Sequence, residues 1–215
     1  MINPQPVDED AAVVRMRAGN ADALAEVFSK YRERLRRIVQ FRVDYRLAGR
    51  ISESDVLQET FIAAAKRLDH FSEHSELPAF LWLRLLANQE LANLHRQHLG
   101  AAKRDARKEV SIDKGYDSAQ TSMALAAQLV GQLTAASAIV ERAEQIQKLE
   151  SVLNEMEPMD REVVALRHFE ELSNIDTAHV LKIEPAAASK RYIRAMAKLA
   201  ELMAKFSPPD KTRTT

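Results

Sequence analysis

The stretch LSNIDTAHVLKIEPAAASKRYIRA, residues Leu172 to Ala195, decides the fold. It reads as a helix-turn-helix whose second helix carries a basic face. Pro185 suits a first helical turn, where its missing N–H costs nothing. Lys182-Ile183-Glu184 makes a three-residue break before it. Beyond the break Ala188, Tyr192, Ala195 and Leu199 recur at i, i+4, i+7 and i+11, one face of a helix. That face is expected to pack on Ile175, Ala178 and Leu181. At 100° per residue Arg191, Arg194 and Lys198 fall on one flank, with Lys190 beside them and small Ala187 between. A helix with small residues near its start and arginines projecting sideways fits the DNA major groove. An ordinary solvated helix is the competing reading of the same residues.

Composition narrows the rest. The chain has 215 residues with only five glycines and seven prolines, and is rich in Ala, Leu, Glu and Arg, which favours an all-α protein. Cysteine is absent, so disulfides, thiolate metal sites and cysteine nucleophiles are excluded. No apolar run approaches the roughly 20 residues of a membrane span. MINPQPVDED has neither a basic start nor an apolar core and is not read as a signal peptide. A cytoplasmic protein is expected.

The formal net charge is zero, with 31 basic and 31 acidic side chains. A protein gripping DNA alone would usually be basic. Here the charge is segregated. Basic residues cluster in Arg32 to Arg46, Arg96 to Lys108 and Lys190 to Lys198. Acids collect in Asp8 to Asp10, Glu53 to Glu59 and Glu150 to Glu171. Such a layout suits a chain that meets DNA with some faces and a protein with others.

Two small helical domains joined by a linker are expected: residues 10–107, a partly helical linker at 108–147, and 148–205 with the helix-turn-helix. In the first domain, Asn20-Ala21-Asp22 after Gly19 starts a long amphipathic run to Leu47. Ser52, three residues before Asp55, suggests a capped helix from Glu53 to Leu68. The polar stretch DHFSEHSELP reads as a loop before a helix from Ala79 to Leu99. EVSIDKGYDSAQTSM lacks helical periodicity and reads as linker; Ala124 to Gln147 reads as a weakly specified helix. Pro158 breaks the first helix of the last domain, and Asp160-Arg161-Glu162 opens another through Phe169. SPPDKTRTT reads as a disordered tail.

In SESDVLQETFIAAAKRL, Leu57, Phe61, Ala64 and Leu68 make a core stripe. Asp55, Gln58, Glu59 and Ile62 share another face. Asp55 sits in the first turn, where an acid complements the helix dipole, but Glu59 lies too far along for that. A solvated face would more often mix both signs of charge.

Asp55-Val56-Leu57-Gln58-Glu59-Thr60-Phe61 resembles the polymerase-binding motif of bacterial RNA polymerase sigma factors of the extracytoplasmic-function class. Trp82-Leu83 followed by Leu86-Ala87, with Arg96 further on, is similar to their promoter-melting helix. Leu149 to Lys205 is similar to their C-terminal promoter-binding domain. The three motifs stand in the family's order across about 150 residues. The resemblance implies that Asp55, Gln58, Glu59 and Ile62 face core RNA polymerase. It implies that the loop from Ser72 to Leu77, with Ser72, Glu73 and His74, holds a flipped base of the −10 element. Gln89, Asn93 and Arg96 would follow the adjacent promoter strand, and Ala187, Lys190, Arg191, Arg194 and Lys198 would engage the −35 element. Lys182 stands where the family commonly has a turn glycine, so it must adopt a left-handed conformation at a cost of roughly 1 kcal/mol. An anti-sigma protein is a further candidate partner.

The implied function is transcription initiation: binding core polymerase, placing it on a two-part promoter and assisting melting. The alternative is a stand-alone helix-turn-helix regulator, which leaves the Asp55 face and the arginine-rich melting helix unexplained. A helical adaptor without DNA contact leaves the basic face of Lys190 to Lys198 unexplained. No catalytic constellation is present, and no cofactor or metal is expected. His95 and His98 are spaced i, i+3 without the glutamate a zincin needs, and are expected to flank a basic DNA-facing surface.

Overall fold

The computed structural model describes residues 10–44, 50–74, 77–99, 118–133 and 139–206. Among the described residues there are ten α-helices: α1 (Ala11–Arg17), α2 (Ala21–Arg42), α3 (Glu53–Lys66), α4 (Leu68–His74), α5 (Ala79–Leu99), α6 (Ser118–Leu133), α7 (Ile139–Leu153), α8 (Pro158–Val164), α9 (Asn174–Leu181) and α10 (Pro185–Phe206). A π-helical turn, Ala165–Phe169, continues α8. The chain divides into two compact units: residues 1–40 with 49–103, and residues 41–48 with 104–215.

In the first unit, local chemistry sets the helix boundaries. Asp10 caps α1, its carboxylate accepting from the Ala12 N–H at 3.1 Å. The Lys30 ammonium bonded to Asp10 and the Ala12 amide hold that carboxyl below its ordinary value. Gly19, at φ 80°, makes the turn into α2, a region glycine enters without a Cβ penalty. The Asn20 side-chain oxygen then accepts from the Ala23 N–H at 2.9 Å. Ser52 caps α3 by accepting from the Ser54 N–H at 3.2 Å. The core takes Leu24, Val27, Leu35 and Ile38 from α2, Val56, Leu57 and Ala64 from α3, and Leu83, Leu86 and Leu91 from α5. Phe71 of α4 stacks on Trp82 of α5, ring centroids 4.3 Å apart. The Arg17 guanidinium lies 4.9 Å from the Phe71 centroid and donates to the Leu77 carbonyl at 2.7 Å.

Two expectations are corrected here. The loop anticipated from Asp69 is helical through His74, because Leu68 and Phe71 bury one face of a further turn. His95 is buried in α5, so it does not flank a DNA-facing surface. The His98 side chain lies outside the described residues.

In the second unit, α6 packs on α7 and α8, and α10 packs on α7, α8 and α9. The core draws Leu125 and Val130 from α6, Ile146, Leu149 and Leu153 from α7, and Ala195, Leu199 and Leu202 from α10. Thr121 to Ala126 are all buried. The stretch read as linker therefore enters a core element at its C-terminal end: Ser118 to Met123 are helical. Residues 100–117, 134–138 and the tail from Ser207 lie outside the described residues.

The second core also buries charge. Arg42, at the end of α2, donates from Nε to Glu170 Oε1 at 2.7 Å and from Nη2 to Glu162 Oε1 at 2.6 Å. Its Nη1 reaches Thr121 Oγ1 at 2.9 Å, and the Thr121 hydroxyl donates to Glu162 Oε2 at 2.6 Å. Burial alone would lower the Arg42 pKa, but the Glu162 and Glu170 carboxylates raise it above its ordinary value. Phe41 stacks on Phe169 beside this network, centroids 5.0 Å apart.

Candidate polymerase and nucleic-acid interfaces

Ser173 begins the helix-turn-helix, its hydroxyl oxygen accepting from the Asp176 N–H at 3.0 Å. Glu171 before it has φ 54°, which ends the π-helical turn, and the Leu172 N–H reaches back to the Leu166 carbonyl at 2.8 Å. Helix α9 ends at Lys182, φ 54° and ψ 45°, the left-handed conformation expected of it. The Ile183 N–H closes that end on the Ala178 carbonyl at 3.0 Å.

Asn174 ties the motif together. Its side-chain oxygen accepts from Arg167 Nη1 at 2.8 Å and from the Ser189 hydroxyl at 3.2 Å, while its Nδ2 donates to the Pro185 carbonyl at 2.7 Å. One side chain thus links the π-helical turn, α9 and the first turns of α10. Arg167 also lies 5.0 Å from the Tyr192 ring centroid. Sequence reasoning missed Asn174, because an asparagine opening a helix reads as a cap rather than a cross-link.

Ala188, Ala195 and Leu199 are buried as the spacing predicts, and Tyr192 is half-buried. Ala178 and Leu181 are buried on α9, but Ile175 is 56% exposed. Thr177, fully buried, takes the inner position instead, because a face one residue out of phase fits this eight-residue helix equally well.

On α10, Ala187, Lys190 and Arg194 are exposed, whereas Arg191 and Lys198 are half-buried. Arg191 bonds to Asp160 of α8, and Arg194 Nη2 reaches the same Asp160 Oδ1 at 3.2 Å. Asp160 is a residue that sequence reasoning read only as a helix start. Lys198 pairs with Glu201 one turn on, at 3.1 Å. Ile193, on the outer face, is 70% exposed.

In the first unit, α3 presents Asp55, Gln58 and Glu59 to solvent, with Ile62 half-buried. The neighbouring Val56, Leu57 and Thr60 are buried, so packing against α5 fixes which face points outward. The Thr60 hydroxyl donates to the Val56 carbonyl at 2.7 Å, removing the one polar group from that inner face. On α5, Gln89 and Asn93 are half-buried and Arg96 is exposed. Gln89 accepts from Arg67 Nη1 at 2.7 Å, Asn93 donates to Glu90 at 3.2 Å, and Arg96 bonds to Asn93. A groove lined by Glu59, Glu90, Asn93, Leu94, Arg96 and Gln97 brings the acidic face of α3 alongside the polar face of α5. Ser72 lies in α4 and its hydroxyl donates to the Leu68 carbonyl at 2.9 Å. Glu73 and His74 belong to the same helix, and their side chains lie outside the described residues. No cluster of His, Asp or Glu able to hold a metal occurs among the described residues, and no described helix is long and apolar enough to cross a membrane.

Residues 11–205 match the family model described as ECF sigma factor. The ECF RNA polymerase sigma factor BldN of Streptomyces coelicolor is 26% identical over 209 residues, covering 91% of this chain and 68% of BldN. A chain in the structure of CnrH in complex with the cytosolic domain of CnrY is similar in fold, with a TM-score of 0.50 at 21% identity, covering 91% of this chain and 97% of that one. An RsbN–BldN complex aligns over 90% of this chain and 99% of the matched chain at 21% identity, with a TM-score of 0.32. The family match spans both helical units, the exposed Asp55 face of α3 and the basic helix α10: this chain belongs to the ECF sigma factor family.

Proposed function

We propose that this transcription initiation factor divides its work between the two surfaces. Asp55, Gln58, Glu59 and Ile62 dock on core RNA polymerase, and α10 reads the −35 element of the promoter. Residues 10–107 then serve polymerase and −10 binding, residues 148–205 serve −35 binding, and residues 108–147 connect them. Ser72, Glu73 and His74 near the base-capture loop, with Gln89, Asn93 and Arg96 on α5, engage the −10 strand. Melting is driven by capture of unstacked bases, not by a chemical step. The protein acts where polymerase does, in the cytoplasm, and an anti-sigma protein is a candidate regulator.

The observation that carries this reading is the exposed acidic face of α3 in a protein that also presents Lys190 and Arg194 from a helix-turn-helix. The acids would repel DNA, so that face calls for a protein partner, while the basic face suits phosphate and guanine edges. Run-off transcription of genomic DNA by core polymerase, with and without the protein, tests it. New discrete start sites that depend on the protein are expected. Identical transcripts in both reactions would refute it.

A further inference from the structure

We propose that Asp160 is a positioning residue that sets how much of the positive charge of α10 is available to DNA. It holds Arg191 against α8 and shares Arg194 between the protein and the groove. The inference rests on the reading of α10 as the DNA-reading helix.

The geometry is unequal. The Asp160 side chain is only 9% exposed. Its Oδ1 accepts from Arg191 Nη1 and, at 3.2 Å, from Arg194 Nη2, which also lies 3.5 Å from Oδ2. The Arg191 side chain is 28% exposed and that of Arg194 is 64% exposed. Both side chains end in a cationic guanidinium. One carboxylate among two guanidiniums leaves a net charge of about +1, and the excess sits on the more exposed arginine.

Two consequences follow for recognition. Arg191, spent largely on a buried acid, orients the start of α10 rather than reading bases freely. Arg194 is held only through its terminal Nη2, and its side chain is 64% exposed. A guanidinium already oriented loses less freedom when it meets a guanine edge. Two untethered arginines would instead reach phosphates on any sequence. Asp160 therefore favours promoter over non-promoter DNA by restraining charge, not by touching DNA.

The test uses the full chain bound to core polymerase. Affinities for a promoter fragment and a scrambled fragment are measured across a salt series. Uncovering one cation adds about one released counterion, which at 0.1 M salt corresponds to roughly 5- to 10-fold tighter binding. Asp160→Asn is expected to tighten scrambled DNA by that factor, steepen its salt slope by about one, and lower the promoter-to-scrambled ratio. Adding Arg191→Gln to Asp160→Asn restores the charge count and should return the slope towards that of the unaltered protein. A folded Asp160→Asn protein with an unchanged slope, or a double variant that keeps the steeper slope of the single, overturns the proposal. Arginine-directed dicarbonyl labelling of the unaltered protein without DNA supplies a second measurement that needs no variant to fold. Arg194 should label faster than Arg191, and equal rates overturn the clasp. A complex that prefers no promoter at all would refute the DNA-reading assignment instead, leaving the clasp to be judged by the labelling.

Discussion

Replacing Arg42 by Met should loosen the second unit more than any surface change. The Arg42 side chain is 6% exposed, and the two carboxylates that share it, Glu162 and Glu170, are each 0% exposed. Methionine keeps much of the stem volume but removes the guanidinium and its bonds to Glu162, Glu170 and Thr121. Removing one partner of a buried ion pair costs about 3–5 kcal/mol, chiefly because the opposite charge loses its compensation. That converts to amide exchange faster by roughly 100- to 5,000-fold in peptides that open with the core. Hydrogen exchange read by mass spectrometry over residues 158–169 of the full-length protein is the assay. Combining Arg42→Met with Glu162→Gln and Glu170→Gln should recover most of the protection, since neutral amides bury at far lower cost than charges. An Arg42→Met protein with less than about fivefold faster exchange in this region would refute the account, because a shift that small corresponds to no more than about 1 kcal/mol.

Other outcomes are expected. Glu59→Lys should weaken core polymerase binding in a pull-down while leaving the circular dichroism melt unchanged, and unaltered binding of both Glu59→Lys and Gln58→Ala would sink the docking assignment. Arg194→Ala should cost roughly 1–3 kcal/mol on the preferred −35 element and relax preference at particular bases. Lys198→Ala, by contrast, should weaken all sequences about equally and flatten the salt slope by roughly one ion. Both are measured by promoter competition with core polymerase present, and an unchanged ranking of −35 variants with Arg194→Ala would make the basic flank a phosphate anchor only. Leu125→Ala in α6, at a fully buried position, should destabilise the second unit by about 2–5 kcal/mol in a denaturant titration followed by exchange in α7. A negligible effect would return α6 to the status of a linker.

Much of the helical framework was legible in the sequence because it depends on neighbours along the chain. The Ala79 to Leu99 helix, the start of α10 at Pro185, the break before it and the inward face of Ala188, Ala195 and Leu199 follow from periodicity and from the backbone chemistry of proline, whereas the left-handed Lys182 followed from the resemblance to a family with glycine there. The outward set Asp55, Gln58 and Glu59 follows from periodicity too, because apolar residues on the opposite side of α3 leave it nowhere else to point. The extension of α4 through His74 and the burial of Thr121 to Ala126 were not legible. Polar, alanine-rich segments have weak periodicity, and only a packing partner decides whether they are covered.

The charged residues divide most sharply. The sequence shows Glu150 to Glu171 only as a stretch where acids collect, and shows Arg191 and Arg194 as equivalent members of a basic flank. Tertiary structure buries Glu162 against Arg42, 120 positions away, and sets Asp160 against two arginines 31 and 34 positions away. Hydrophobic periodicity is a local property of a helix, so one strand of sequence carries it. The state of a charge depends on what stands within a few ångströms and how much water is left there, and only the folded chain brings those partners together.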